Sequence, residues 1–185
     1  MPKKSPKIKE VIGSEKVELA IKDLTRFVIS HFNFSNGETA LIGIQTRGAL
    51  LAQRVAQAIK NEKGEEVLHG ALDITLYRDD FSTAAITPTV GETQLNFDIE
   101  GKRIVLIDDV LFTGRTIRAA LDEIMDYGRP KSISLVTLVD RGHRELPIQP
   151  DFSALKLVTG RSETVNLHLK EIDEKEEIVI CEPLP

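Results

Sequence analysis

The chain has 185 residues, 41% of them hydrophobic and 29% charged, which suits one α/β domain with a proper core and excludes a disordered polymer. Its net charge of −5 argues against a general nucleic-acid binder, and the single cysteine, Cys181, excludes a disulfide framework or a cysteine metal cluster. No apolar run approaches the ~20 residues needed to cross a membrane, and the basic start lacks the apolar stretch of a secretory signal. A single cytoplasmic domain over residues 1–185 is therefore expected, with about residues 1–10 as a disordered tail.

Ser14 is a candidate helix N-cap, and Val17, Ile21, Leu24, Val28 and Phe32 recur behind it at helical spacing. After the stop at Asn33 to Gly37, Leu41 to Ile44 reads as a strand buried on both faces. Thr46-Arg47-Gly48 links it to an amphipathic helix from Ala49 to about Lys60. Leu68 to Tyr77 alternates with period two, which predicts a strand, partly exposed and at an edge. Residues 81–100 show only weak periodicity, and a connection of that length is read as a lid with Arg78 at its base.

The stretch that organises the chain comes next. Ile104 to Ile107 predicts a central parallel strand. Asp108 and Asp109 follow, then Val110-Leu111-Phe112-Thr113-Gly114-Arg115-Thr116, then a helical pattern ending at Tyr127-Gly128. Adjacent aspartates before a helix are often no more than caps and a solvated turn. In an open parallel sheet, however, ligands sit beyond the carboxyl ends of the strands. A small hydroxyl-bearing turn opening a helix suits a phosphate, and carboxylates beside it suit sugar hydroxyls. The order of these parts predicts a phosphorylated ribose held by its two ends. Ser132 to Val139 predicts a further parallel strand, leading into a charged loop, Asp140 to Pro147. Thr164 to Leu169 and Glu177 to Cys181 predict a terminal hairpin, with His168 on a solvent face.

The segment Val105 to Thr116 resembles the phosphoribosyl diphosphate (PRPP) motif of the type I phosphoribosyltransferases. Leu72 to Asp80, Gly128-Arg129-Pro130 and Leu138 to Pro147 further resemble the bifunctional pyrimidine-operon attenuator/uracil phosphoribosyltransferase (PyrR) family. The resemblance implies an α/β fold, a mostly parallel sheet flanked by helices, with a flexible loop and a small hood. It implies conversion of uracil and PRPP to UMP and diphosphate, with Mg²⁺ carried by the PRPP diphosphate rather than by a dedicated cluster. Asp108, Asp109 and Arg78 are then the catalytic candidates. Thr46, Arg47, Gly48 and residues Val110, Leu111, Phe112, Thr113, Gly114, Arg115 and Thr116 would hold PRPP, and Val139, Asp140 and Arg141 would cover the base. Homodimers or homotetramers are implied too. Many family members also bind leader RNA when loaded with UMP, and Thr25, Arg26 and Arg144 are the candidates for that role. Ile29, Phe34, Gln149 and Leu155 stand where regulatory members carry further polar or basic groups. The competing readings are an RNA-binding attenuator, alone or beside the activity, and a relative using hypoxanthine or orotate.

Overall fold

The two apolar runs expected to be doubly buried strands lie side by side at the centre of the molecule. The computed structural model describes residues 7–77 and 92–183. In chain order the elements are β1 (Ile8–Ile12), α1 (Ser14–His31), β2 (Thr39–Ile44), α2 (Arg47–Lys63), β3 (Leu68–Leu72), β4 (Arg103–Leu111), α3 (Arg115–Tyr127), β5 (Ser132–Asp140), β6 (Phe152–Lys156), β7 (Thr164–His168), α4 (Lys170–Asp173) and β8 (Glu177–Cys181). A parallel sheet of order β3-β2-β4-β5-β6 forms the body. An antiparallel sheet of order β1-β8-β7 forms a smaller layer, the hood.

Every residue of β2 is buried, as are Ile104 to Asp108 of β4. Alternation along β4 then divides the core. Val105 and Ile107 pack against α1, α2 and the apolar face of the hood (Val165, Leu167, Ile178). Ile104 and Leu106 pack on the other face against Ile117, Ala120 and Ile124 of α3. Each fully buried Ile or Leu contributes about 1.5–3 kcal/mol, so the central strands are fixed from both sides. No helix among the described residues is long and apolar enough to cross a membrane.

Three expectations need correction, and one strand is new. Residues 8–10 do not belong to a tail: β1 pairs with β8, and Glu182 N donates to Lys7 O at 2.9 Å. Ser14 is not the cap of α1 but its first residue, with the Gly13 carbonyl accepting from Lys16 and Val17. The strand from Leu68 stops at Leu72 because the Asp73 side chain takes the Thr75 N–H (3.0 Å) and hydroxyl (2.5 Å). That local capture favours a turn over a ladder, and residues 74–77 form a 3-10 helix. The strand β6 was not foreseen: it is a short edge strand whose place comes from pairing with β5. Arg78 and most of the expected lid, residues 78–91, lie outside the described residues. The end of that connection folds back on the body, with Gln94 bridging Ala71 on β3 and Ile99 buried.

Candidate active site

Because β2, β4 and β5 run parallel, the loops leaving their carboxyl ends converge on one edge. A cleft of about 560 Å³ opens there, and Arg47, Asp109, Val110, Phe112 and Arg141 line it together with β7. The sequence thus placed residues from three separate loops at one site.

The approach of α2 to the sheet depends on two glycines. A Cβ on Gly43 would lie 2.2 Å from the Gly48 carbonyl oxygen, and one on Gly48 would lie 2.6 Å from that of Ile107. Without side chains there, the first turn of α2 settles against β2 and β4, and Arg47 reaches the cleft. Arg47 Nη2 donates to both carboxylate oxygens of Asp173, at 2.9 and 3.1 Å. The Gln45–Thr46 peptide bond is cis. Thr46 lines a separate hollow on the β3 side.

The two aspartates take different faces of β4. Successive residues on β4 face opposite sides, and Asp109 is half-buried at the cleft whereas Asp108 is 4% exposed. Burial pushes the Asp108 carboxyl well above the usual carboxylate range, and the neighbouring Asp109 charge adds to this; the Asp109 N–H, donating to Asp108 Oδ1 at 3.0 Å, opposes it. A raised folded-state pKa means that the native protein holds a proton the unfolded chain releases near pH 4. Stability is therefore lost as pH rises from about 4 toward the folded pKa. Asp108→Asn keeps the acceptor and removes the charge. Its melting temperature is expected to exceed that of the wild type at neutral pH, with the difference closing below about pH 4. An equal or lower melting temperature at pH 7 would show that the charge carries no such cost.

Beyond β4, Gly114 adopts φ 92° and caps α3, a conformation that favours glycine. As at any helix start, the first-turn N–H groups lack intrahelical acceptors; Arg115 N finds Thr113 Oγ1 at 3.3 Å. Arg115 and Thr116 are exposed, and Leu111 is buried beneath them. The Thr113 carbonyl accepts from Glu145 N (2.9 Å) and Leu146 N (3.1 Å), so the loop after β5 is docked on this turn.

That loop is stiffened by its own charges. Arg144 donates to Ile148 O, to Phe112 O (both 2.9 Å) and to Asp140 Oδ2 (2.7 Å). Burial alone would raise the Asp140 carboxyl; Arg144 and the Gly142 N–H overcome it and hold the group below the usual range. Arg141 is buried, its guanidinium 4.0 Å from the Phe112 ring centroid and donating to Gly160 O at 2.9 Å. Val139 is buried in β5 below it. Of the three RNA candidates, Arg144 is thus an internal brace. Thr25 donates to Ile21 O at 2.8 Å within α1, and Arg26 pairs with Asp23 at 3.3 Å on the surface. Arg26 borders a larger hollow, about 690 Å³, floored by the stacked rings of Phe27 and Phe152 and remote from the cleft.

Two groups escaped the sequence. His168 lies on the wall of the cleft and pairs with Glu177 at 3.1 Å, rather than on an open solvent face. Asp173, the partner of Arg47, is 126 residues away in sequence, and no local signal links them.

The arrangement defines a transferase of the phosphoribosyl class, and the comparisons agree. The phosphoribosyl transferase domain model matches residues 8–175. The chain is 49% identical over 178 residues to the bifunctional protein PyrR of Pelotomaculum thermopropionicum, covering 92% of this chain and 98% of that one. It is 53% identical over 143 residues to that of Thermus thermophilus, covering 77% and 79%. The chain belongs to the phosphoribosyltransferases and, within them, to the bifunctional PyrR family. Among solved structures, a hypoxanthine phosphoribosyltransferase from Staphylococcus aureus superposes with TM-score 0.65 at 21% identity over 96% of this chain and 94% of that one. One from Trypanosoma cruzi gives 0.68 at 17% identity, over 95% and 97%. These two likenesses show the fold.

Proposed function

We propose that the protein transfers the phosphoribosyl group of PRPP to uracil, giving UMP and diphosphate in the cytoplasm as a homodimer or homotetramer. The observation that carries this reading is the convergence of Asp109, Arg47 and Arg141 on one cleft at the carboxyl edge of β2, β4 and β5. The bond from the anomeric carbon to diphosphate breaks, the bond to uracil N1 forms, and the N1 proton is released. Positive charge builds on the ribose as diphosphate leaves, so catalysis rests on positioning and electrostatics. Asp109 faces the ribose, and the turn from Val110 to Thr116 with the start of α3 receives the 5′-phosphate. Arg47, with the backbone of Thr46 and Gly48, holds diphosphate, and Arg78 supplies a further cation for the leaving group. Val139, Asp140 and Arg141 cover the base, whose edge is read by backbone groups.

The described residues contain no group of three or more His, Cys, Asp or Glu able to hold a metal. A cleft lined by two half-buried carboxylates, Asp109 and Glu163, the latter already paired with Lys9, fits Mg²⁺ that takes most of its oxygens from diphosphate and water. When bound, Mg²⁺ would offset the charge of the leaving group. Diphosphate release from PRPP, assayed with uracil, orotate, hypoxanthine and guanine in parallel, is expected with uracil alone. Release with a purine instead would overturn the base assignment.

A second reading, UMP-dependent binding of leader RNA, is favoured by the bifunctional relatives. It would use the exposed Arg26 face of α1 rather than Arg144. A gel shift with pyrimidine leader RNA and UMP tests it: such binding is expected to weaken steeply with salt, and its absence at low salt would leave the enzyme alone.

A further inference from the structure

The hood is fastened to α2 by carboxylates from a single stretch, residues 171–176. Arg54 lies seven residues after Arg47, two turns along the same face of α2. It forks onto Glu171 at 2.8 and 2.7 Å and onto Glu176 at 2.7 and 3.1 Å. The Glu176 side chain is 2% exposed, which makes this the rigid end of the clasp. At the other end Asp173 meets Arg47 at the cleft. The Asp173 carboxylate is fixed before it meets Arg47, because Leu169 N donates to its Oδ2 at 2.9 Å and its own N–H returns to Leu169 O at 2.7 Å. On Arg47, Nη2 is taken by Asp173 and Nε is sealed without a partner. Nη1 has no hydrogen-bond partner among the described residues and is not sealed. The guanidinium is thereby held in one orientation with one donor left for an anion.

We propose that Asp173 is a positioning residue for substrate: it sets the Arg47 guanidinium so that Nη1 meets the diphosphate of PRPP. The inference rests on the proposed phosphoribosyl transfer and goes beyond it, by making the C-terminal hairpin part of the diphosphate site. A carboxylate this close would repel a diphosphate if its charge were not offset by Arg47. Held by the Leu169 N–H and by Arg47, it works through the arginine instead. Orientation of a planar, forked donor matters more than its charge alone.

The test measures diphosphate and PRPP binding with Mg²⁺ by calorimetry, together with steady-state kinetics, on the full chain. Asp173→Ala is expected to weaken both ligands about tenfold, the scale of one charge-assisted hydrogen bond. The PRPP KM should rise accordingly, with kcat within about twofold and the uracil KM unchanged. Asp173→Asn, which keeps an acceptor for Leu169 N and Arg47, should recover part of the loss. Glu171→Gln, at the rigid end of the clasp, should lower the melting temperature without moving the PRPP KM. If wild-type protein binds neither PRPP nor diphosphate, the transferase reading fails and the inference with it. If the wild type binds and Arg47→Ala abolishes binding while Asp173→Ala leaves it intact or tighter, the positioning role alone is overturned. If neither substitution alters binding, Arg47 is no diphosphate ligand, and the positioning role falls while the transferase reading stands.

Discussion

Asp109→Asn is expected to lower turnover with uracil and saturating PRPP by about 10²- to 10³-fold, the scale of removing one preorganised electrostatic group. The substitution keeps the size of the side chain and one acceptor oxygen, so hydrogen bonding to a ribose hydroxyl is partly preserved. What it removes is the Asp109 charge on the wall of the cleft, where positive charge develops on the sugar. Loss should therefore fall on kcat more than on the PRPP KM, because the charge is needed chiefly in the transition state. Asp109 is half-buried and lies at the end of a strand whose apolar neighbours are already sealed, so the melting temperature should stay within about 2 °C. Wild-type kcat in this variant would remove the carboxylate from the chemistry. A changed KM with unchanged kcat would reduce Asp109 to a ribose contact. Asp108 lies on the other face of β4 and is sealed from the cleft side, so its substitution separates stability from turnover in a way that Asp109 does not.

The division between those two aspartates shows what the sequence could and could not tell. The strands β2 and β4 were legible because a doubly buried parallel strand is apolar without interruption, and Leu41 to Ile44 and Ile104 to Ile107 carry that mark; β5 was legible from its β-branched and apolar content despite Ser134 and Thr137. Once three strands were ordered, their loops had to meet at one edge, which is why Arg47, Asp109 and Arg141 were foreseen together. The face each aspartate takes depends on the pleat of the finished strand, and adjacent letters do not announce it. Short edge strands carry less signal: β1 and β6 exist through their partners β8 and β5, and their five residues mix polar and apolar types. Charged loops mislead in another way. Arg144 reads as surface charge, yet Asp140 sits four residues earlier and the Phe112 carbonyl waits 32 residues upstream. The clasp between α2 and residues 171–176 joins segments more than 110 residues apart, and only the folded chain reveals it.

The contact between Gly43 and Gly48 carries the largest expected effect on stability. Both glycines occupy ordinary backbone conformations, so their role is space and not φ. An added Cβ at Gly43 would stand 2.2 Å from the Gly48 carbonyl oxygen and 2.4 Å from the Ala49 Cα, atoms of backbone that cannot swing aside. Relief requires moving the first turn of α2 away from β2. That turn carries Arg47, and its other side rests on the Ile107 carbonyl through Gly48. Gly43→Ala is therefore expected to cost about 3 kcal/mol, the upper end of overpacking, and to lower the melting temperature by roughly 10 °C for a domain of this size. The PRPP KM should rise in whatever protein remains folded, because the helix that aims Arg47 has shifted. Gly64→Ala serves as the contrast: Gly64 caps the far end of α2 at φ 70°, and nothing lies within 4 Å of its added Cβ. Its cost is the strain of a left-handed alanine, about 1 kcal/mol, with no change in the PRPP KM. Thermal unfolding and steady-state kinetics on the two variants separate crowding from conformation. A Gly43→Ala protein that melts with the wild type would mean that α2 has room to yield, and that its seat on β2 and β4 does not fix the position of Arg47.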